Sequence, residues 1–192
     1  MIAATCGTDR LSPRLTMPPS GPLAVLSQTL RQLGQIVETA SDDQYVLQPV
    51  GVIDGSLGGH VRHCLDHVAT LLDGAQTGRL DYDARRRGTA VETSRAAALE
   101  VVGRLESRLT GLDDDDLSRP LCVSVMLTAD GLRIDTLSSL GRELGSVLSH
   151  TIHHNAIVAA ICRTLGIPLP DRFGYAPATI AHLDAAACAP SR

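Results

Sequence analysis

The sequence predicts an all-α fold, a four-helix bundle with a small β-hairpin between the third and fourth helices. Four long segments carry apolar residues at every third or fourth position, and one segment alternates apolar with other residues. Of the 192 residues 44% are hydrophobic, yet the chain has one Phe, three Tyr and no Trp. Leu, Val, Ile and Ala must therefore fill the core, which favours closely packed helices over an aromatic-rich β-sandwich.

The first three periodic segments begin near a capping residue, and all four end at a glycine or a polar break, as helices do. The predicted helices cover residues 22–40, 57–75, 94–111 and 137–165. Ser56 is expected to cap the second helix. Gly166, followed closely by Pro168, is expected to end the fourth.

The periodicity changes from helical to extended between the third and fourth helices. Val123, Val125 and Leu127 occupy alternate positions, and the sequence Ala-Asp-Gly at 129–131 supplies a tight turn. We therefore predict a β-hairpin over residues 121–136.

The bundle is predicted to span residues 21–176 as a single domain. Residues 1–20 mix Thr, Pro, Ser and Arg without periodicity and are expected to form a flexible N-terminal tail. Residues 177–192 form a C-terminal tail that is expected to contain a short helix near 177–187. The remaining connections lack periodicity and are predicted to be loops or turns: 44–55, 79–92 and the acidic run 113–116.

Charge and composition exclude several classes of partner. The net charge is −4 and no basic stripe is present, so we expect no nucleic-acid binding. No apolar run reaches the ~18 residues of a membrane span, and the N-terminus does not resemble a secretion signal. The five cysteines form no C-x-x-C pair, which predicts free thiols and a cytoplasmic protein. Apolar residues left over in a thin bundle suggest a homodimer.

Six of the seven histidines fall in two short windows, and this clustering is the main functional signal. The second helix carries His60, His63 and His67, and the fourth carries three more at 150, 153 and 154. Residues three or four apart share a helix face, so His150 and His154 can present nitrogens to one metal ion. A third ligand would then have to come from another helix, and the second helix supplies histidines.

Helical phase selects some of these histidines but not all. His150 and His154 continue the apolar stripe of the fourth helix and should point into the bundle. His153 is rotated by about 100° from His154, onto a face of small residues. On the second helix His60 lies nearest the apolar stripe and His63 furthest, so phase alone does not select the third ligand.

Three interpretations compete with a single metal site. Buried histidines can form a metal-free cluster in which each ring finds a hydrogen-bond partner. The histidines can also lie on the surface without a shared role. Finally, all six could hold two metal ions.

Three short segments resemble the DinB-like (YfiT-type) superfamily of four-helix proteins. They are S-L-G-G-H-V-R-H at 56–63, S-H-T-I-H-H-N at 149–155 and L-G-I-P at 165–168. Their order and separation carry the resemblance, which spans about residues 22–175. It implies a DinB-like four-helix bundle, in which the hairpin at 121–136 is an addition to the family pattern.

The resemblance also implies the ligands. Family members bind a divalent metal through one histidine early in the second helix and an H-x-x-x-H pair on the fourth. The early histidine closes a segment similar to S-I-G-x-x-x-x-H, which assigns His63, and the pair matches His150 and His154. Three histidines are additional to the family pattern: His60, His67 and His153.

Three neutral imidazoles leave one coordination position open for water or substrate. Such nitrogen ligands suit one divalent ion of zinc, nickel or iron, and the sequence does not choose among them. The resemblance implies an enzyme acting on a small molecule. This would be a transferase of low-molecular-weight thiols such as mycothiol or bacillithiol, or a related hydrolase or isomerase. A non-catalytic metal-binding or stress-response protein is the alternative.

No catalytic residue is assigned by the sequence. His67, one helical turn beyond His63, and Glu143, two turns before His150, are candidates for proton transfer or for supporting the ligands. For Glu143 the competing interpretation is a surface salt bridge with Arg142. Asp66 is equally ambiguous.

Overall fold

The computed structural model describes residues 21–51, 53–84 and 88–187, and it confirms the predicted all-α fold with a small sheet. The predicted tail over residues 1–20 lies outside this part of the chain. Within the described residues the α-helices are, in chain order, α1 (Pro22–Thr39), α2 (Asp42–Val46), α3 (Leu57–Thr77), α4 (Arg95–Leu109), α5 (Leu140–Leu165) and α6 (Pro177–Ala187). The short C-terminal helix expected near 177–187 is thus present as α6.

The four long helices each pack against two others, in the ring order α1, α4, α3, α5. The core between them is mainly aliphatic, as the composition predicts, and Tyr45 and Phe173 are the aromatic side chains buried in it among the described residues. Because α3 and α5 are neighbours, the two histidine-bearing helices lie side by side. In the described ranges, no helix combines the length and the apolar character that crossing a membrane requires.

Local sequence explains where α3 and α5 begin and end. The side chains of Ser56 and Ser139 each accept a backbone N–H in the first turn of their helix. Gly78 and Gly166 end these helices with φ of 73° and 69°, in the left-handed region that glycine adopts without strain. The capping role predicted for Ser56 is therefore correct, as is the stop predicted at Gly166.

A three-stranded sheet lies against one end of the bundle, in the order β1 (Arg79–Asp81), β2 (Pro120–Met126) and β3 (Arg133–Ser139). Strands β2 and β3 form the predicted antiparallel hairpin, and β1 pairs with β2 in parallel. Of the alternating residues, Val123 is buried, whereas Val125 and Leu127 extend past the bundle and are exposed. The hairpin continues through Ser139, so α5 begins at Leu140 and not at residue 137.

Two connections that we predicted as loops contain short regular structure. Helix α2 occupies part of the first, and its start is fixed by a reciprocal capping box between Ser41 and Gln44. The second connection holds β1 and a 3-10 helix over Ala90–Glu92. These elements are three to five residues long, which is too short for periodicity to reveal them.

Strand β1 depends on contacts that are distant in sequence. It pairs with a strand about forty residues further along the chain, Leu80 facing Val123. The side chain of Leu80 packs onto Gly74 of α3, where a Cβ atom would lie only 2.5 Å from the Leu80 Cγ. Glycine at 74 therefore lets the strand approach the helix. The acidic run behaves as a local turn: Asp113 caps a 3-10 helix over Asp114–Ser118.

Within the described residues the cysteines are free thiols, as predicted. Cys64 and Cys162 are buried and Cys122 is half-buried, while Cys6 and Cys188 lie outside that part of the chain. Burial raises the pKa of the Cys64 thiol to about 12 and that of the Cys162 thiol to about 11, from an ordinary value of 9.0. Both thiols therefore stay protonated in the folded protein well above neutral pH.

This burial predicts a loss of stability at alkaline pH. Above about pH 9 the unfolded chain releases the two thiol protons while the folded chain keeps them. Unfolding is therefore favoured progressively, by about 1.4 kcal/mol per pH unit for each thiol. Urea denaturation at pH 8, 9 and 10 should show the free energy of unfolding falling over the last unit. The decline should be shallower in the Cys64→Ala variant than in the wild type. An equal slope in these two proteins would contradict the raised pKa of the Cys64 thiol.

Candidate metal centre

Helices α3 and α5 bring five histidine side chains into one continuous cluster. On α3 these are His60, His63 and His67, and on α5 they are His150 and His154. All five are half-buried, so the cluster is enclosed by the two helices but remains accessible. The flank of α3 that carries its three histidines faces α5, although this flank lies beside the apolar stripe and not on it.

Three of these side chains form a group with metal-binding geometry: His63, His150 and His154. One ligand atom from each lies within 4.8 Å of the other two. Nε2 of His63 is 2.8 Å from Nε2 of His150, and the ring of His63 is centred 4.2 Å from that of His154. The structure therefore brings together the three residues that the resemblance selected.

The donor set fits a divalent metal ion. Ligand nitrogens about 2.0–2.1 Å from a tetrahedral zinc ion lie roughly 3.3 Å apart, which is compatible with three ligand atoms within 4.8 Å of one another. All three would donate as neutral imidazoles from two helices, which would leave a coordination position for a further ligand. Without a metal, the His63 and His150 nitrogens form a hydrogen bond in which one donates and the other accepts.

Three other histidines of α3 and α5 lie around this group: His60 and His67 are half-buried, and His153 is exposed. The Nδ1 atoms of His60 and His154 are 3.2 Å apart. Burial lowers the pKa of His60, and a hydrogen bond with the backbone of Asp54 opposes that shift. The ring of His67 is centred 4.2 Å from that of His150. His153 is exposed and lies outside the group, as its helical phase indicates.

A buried acid is linked to the histidine cluster through Tyr82, a residue that sequence reasoning missed. The Tyr82 ring stacks on His67 with the centroids 5.2 Å apart, and its hydroxyl donates to Glu143 at 3.2 Å. Ser138 and Arg142 also donate to the Glu143 carboxylate, at 2.6 and 3.0 Å. Burial raises the pKa of the Tyr82 hydroxyl, and the charge of Glu143 raises it further.

The interpretation that Glu143 forms a surface salt bridge with Arg142 is therefore only partly correct. The pair with Arg142 exists, but the Glu143 side chain is only 3% exposed while that of Arg142 is 69% exposed. The carboxylate is buried because the hairpin and Tyr82 cover it and supply hydroxyl donors. The signal that could have located Tyr82 is its spacing of two from the buried Leu80, which is strand periodicity over a very short segment.

A cavity of about 330 Å³ lies beside this buried acid, between the hairpin and the start of α5. Its lining includes Tyr82, Thr136, Ser138, Arg142 and Glu143, and is therefore largely polar. Tyr82 separates the cavity from the ring of His67. None of the clustered histidines lines the cavity, so Tyr82 is its link to the cluster.

Asp66 does not contribute to the cluster. Its carboxylate is 2.8 Å from the Arg62 guanidinium, which also lies 2.9 Å from Glu92. This arrangement ties α3 to the 3-10 helix that follows β1. Asp66 therefore orients Arg62, whose guanidinium bridges α3 and the 3-10 helix.

The Tyr82 hydroxyl should contribute measurably to stability. Tyr82→Phe removes one of three hydrogen bonds to the buried carboxylate, and we expect a loss of about 1–2 kcal/mol in the free energy of unfolding. Tyr175, 43% exposed, provides a matched control, and Tyr175→Phe should change stability by less than about 0.5 kcal/mol. Equal urea midpoints for the two variants would show that the Tyr82–Glu143 hydrogen bond does not contribute to the free energy of unfolding.

Comparison with known proteins bears on the fold and the family. YjoA of Bacillus subtilis, a DinB-like protein, superposes with a TM-score of 0.56 at 18% identity, covering 78% of this chain and 94% of YjoA. YfiT of Bacillus subtilis is described as a probable metal-dependent hydrolase with an unusual four-helix bundle topology. It superposes with a TM-score of 0.52 at 21% identity, covering 82% of this chain and 94% of YfiT.

Sequence comparison extends this result. FK506-binding protein 5 of Rhizopus delemar is 37% identical over 105 residues, which is 54% of this chain. The match spans only 27% of that longer protein. The sequence profile of the DinB superfamily matches residues 26–158, which contain α3, the hairpin and most of α5 with all five histidines of the cluster. The chain therefore belongs to the DinB superfamily.

Proposed function

We propose that this protein is a divalent-metal-dependent enzyme that acts on a small molecule, with His63, His150 and His154 as the metal ligands. The single observation that carries the proposal is the group of three imidazoles within 4.8 Å of one another. The description of YfiT as a probable metal-dependent hydrolase supports the same chemistry. We propose zinc, nickel or iron(II) as the ion, since all three bind imidazole well.

The site residues suit either hydrolysis or thiol transfer. A metal ion bound here would act as a Lewis acid, lowering the pKa of a water or thiol so that the anion becomes the nucleophile. His67, next to His150, is positioned to accept the proton that this nucleophile loses. Tyr82 and Glu143 hold His67 from the opposite side, through the stacked ring and its hydroxyl.

The polar cavity beside Tyr82 is the proposed substrate pocket. Tyr82 links it to the cluster by stacking on His67, and the Arg142 guanidinium at its edge is mostly exposed. A small polar molecule fits a cavity of about 330 Å³, whereas a macromolecule would have to bind outside it. This supports a low-molecular-weight thiol, or a small ester or amide, as the substrate class.

The test is a two-armed assay on protein loaded separately with zinc, nickel and iron(II). One arm measures hydrolysis of small esters and amides, and the other measures consumption of mycothiol, bacillithiol or glutathione with an electrophile. We expect one arm to show turnover that needs both the metal and His154, so His154→Ala should be inactive and His153→Ala active. If loaded wild-type protein is no faster than His154→Ala in either arm, the non-catalytic metal-binding alternative replaces the enzyme.

A further inference from the structure

We infer that His60 is a positioning residue that fixes the ring of His154 by accepting a hydrogen bond from its Nδ1–H. The inference rests on the proposed metal site and adds to it a residue that is extra to the family pattern. His60 does not belong to the group of three whose ligand atoms lie within 4.8 Å of one another. It is the neighbour of one ligand and not itself a ligand.

The contact between the two rings is specific. Nδ1 of His60 lies 3.2 Å from Nδ1 of His154, with the ring centroids 5.5 Å apart and the planes inclined by 36°. Two imidazole nitrogens at this distance form a hydrogen bond only if one carries a proton and the other offers a lone pair. The pair must therefore adopt one of two directions.

A metal ion held by His154 would decide the direction. If His154 uses the lone pair of Nε2 for the metal, its neutral ring carries the proton on Nδ1 and donates it to His60. His60 then accepts through Nδ1 and carries its own proton on Nε2. This is the arrangement by which an outer residue sets the tautomer and orientation of a ligating histidine.

The ring of His60 is itself held in place by the loop before α3. Its Nε2 is buried, and a Cβ atom at Gly55 would lie 3.1 Å from that nitrogen. Gly55 has φ of 123°, a conformation that side chains rarely adopt. The loop therefore encloses the far edge of His60, which keeps its near edge against His154.

The experiment measures zinc affinity by competition with a chromophoric chelator in four proteins: wild type, His60→Ala, His60→Asn and His153→Ala. His60→Ala should weaken zinc binding about 10–100-fold, the usual effect of losing such a partner. His60→Asn places an amide oxygen near the former Nδ1 and should retain most of the affinity. His153→Ala, at an exposed neighbouring position, should match wild type.

A second measurement separates a positioning role from a ligand role. X-ray absorption of the zinc-loaded wild type should show three imidazoles, and nitrogen NMR should show the proton of His60 on Nε2. Four imidazoles would make His60 a ligand and overturn the inference, as would equal weakening by Ala and Asn. Wild-type affinity in His60→Ala overturns it while leaving the metal site intact. If wild-type protein binds no metal, the proposed function fails and the inference fails with it.

Discussion

Zinc binding by His63→Ala, His150→Ala and His154→Ala variants is expected to be at least about 100-fold weaker than that of the wild type. Each change removes one of the three imidazoles whose ligand atoms lie within 4.8 Å of one another, and two imidazoles hold a zinc ion much less tightly than three. The loss should exceed the 10–100-fold effect of removing a residue that only orients a ligand. Metal content of the purified variants, measured by mass spectrometry, provides a second readout.

The control is His153→Ala, because His153 is adjacent in sequence but exposed and outside the group. It should bind zinc with wild-type affinity. Circular dichroism must show equal helix content in all the variants, so that loss of metal is not loss of fold. If His153→Ala empties the site while His63→Ala leaves it filled, the ligand assignment is wrong. A set such as His60, His150 and His153 would then replace it.

Gly58→Ala is expected to be the most destabilising of the glycine-to-alanine substitutions in α3. A Cβ atom at this position would lie 2.1 Å from the Glu92 carbonyl oxygen and 2.7 Å from Cε1 of the buried Tyr45. The backbone oxygen cannot move aside as a flexible side chain can, so α3 would have to shift. We expect a loss of at least about 3 kcal/mol in the free energy of unfolding, measured by urea denaturation.

The neighbouring glycine offers a matched control. A Cβ atom at Gly59 would meet only the Ser56 Oγ, at an ordinary distance of 3.6 Å. Since alanine is the better helix former, Gly59→Ala should leave stability unchanged or raise it by up to about 1 kcal/mol. Equal stability in the two variants would show that α3 does not need the close approach at Gly58.

The proposed ligands on α5 could be selected from the sequence, whereas the proposed ligand on α3 could not be selected from the residues alone. His150 and His154 are one turn apart on a core-facing stripe, and this local property is sufficient. His63 lies furthest from the apolar stripe of its helix, so only the resemblance selected it. The structure explains why: α3 buries its stripe in the bundle core and turns the histidine flank toward α5.

The sequence by itself determined the four long helices, the cap at Ser56, the hairpin and the two histidine-rich windows, because periodicity and capping are properties of neighbouring residues. Only the tertiary structure decided what surrounds the cluster. Tyr82 reaches His67 because β1 pairs with a strand about forty residues away, and Glu143 is buried because the hairpin covers it. These contacts depend on which helix flanks and strands become neighbours, and no local pattern encodes that choice.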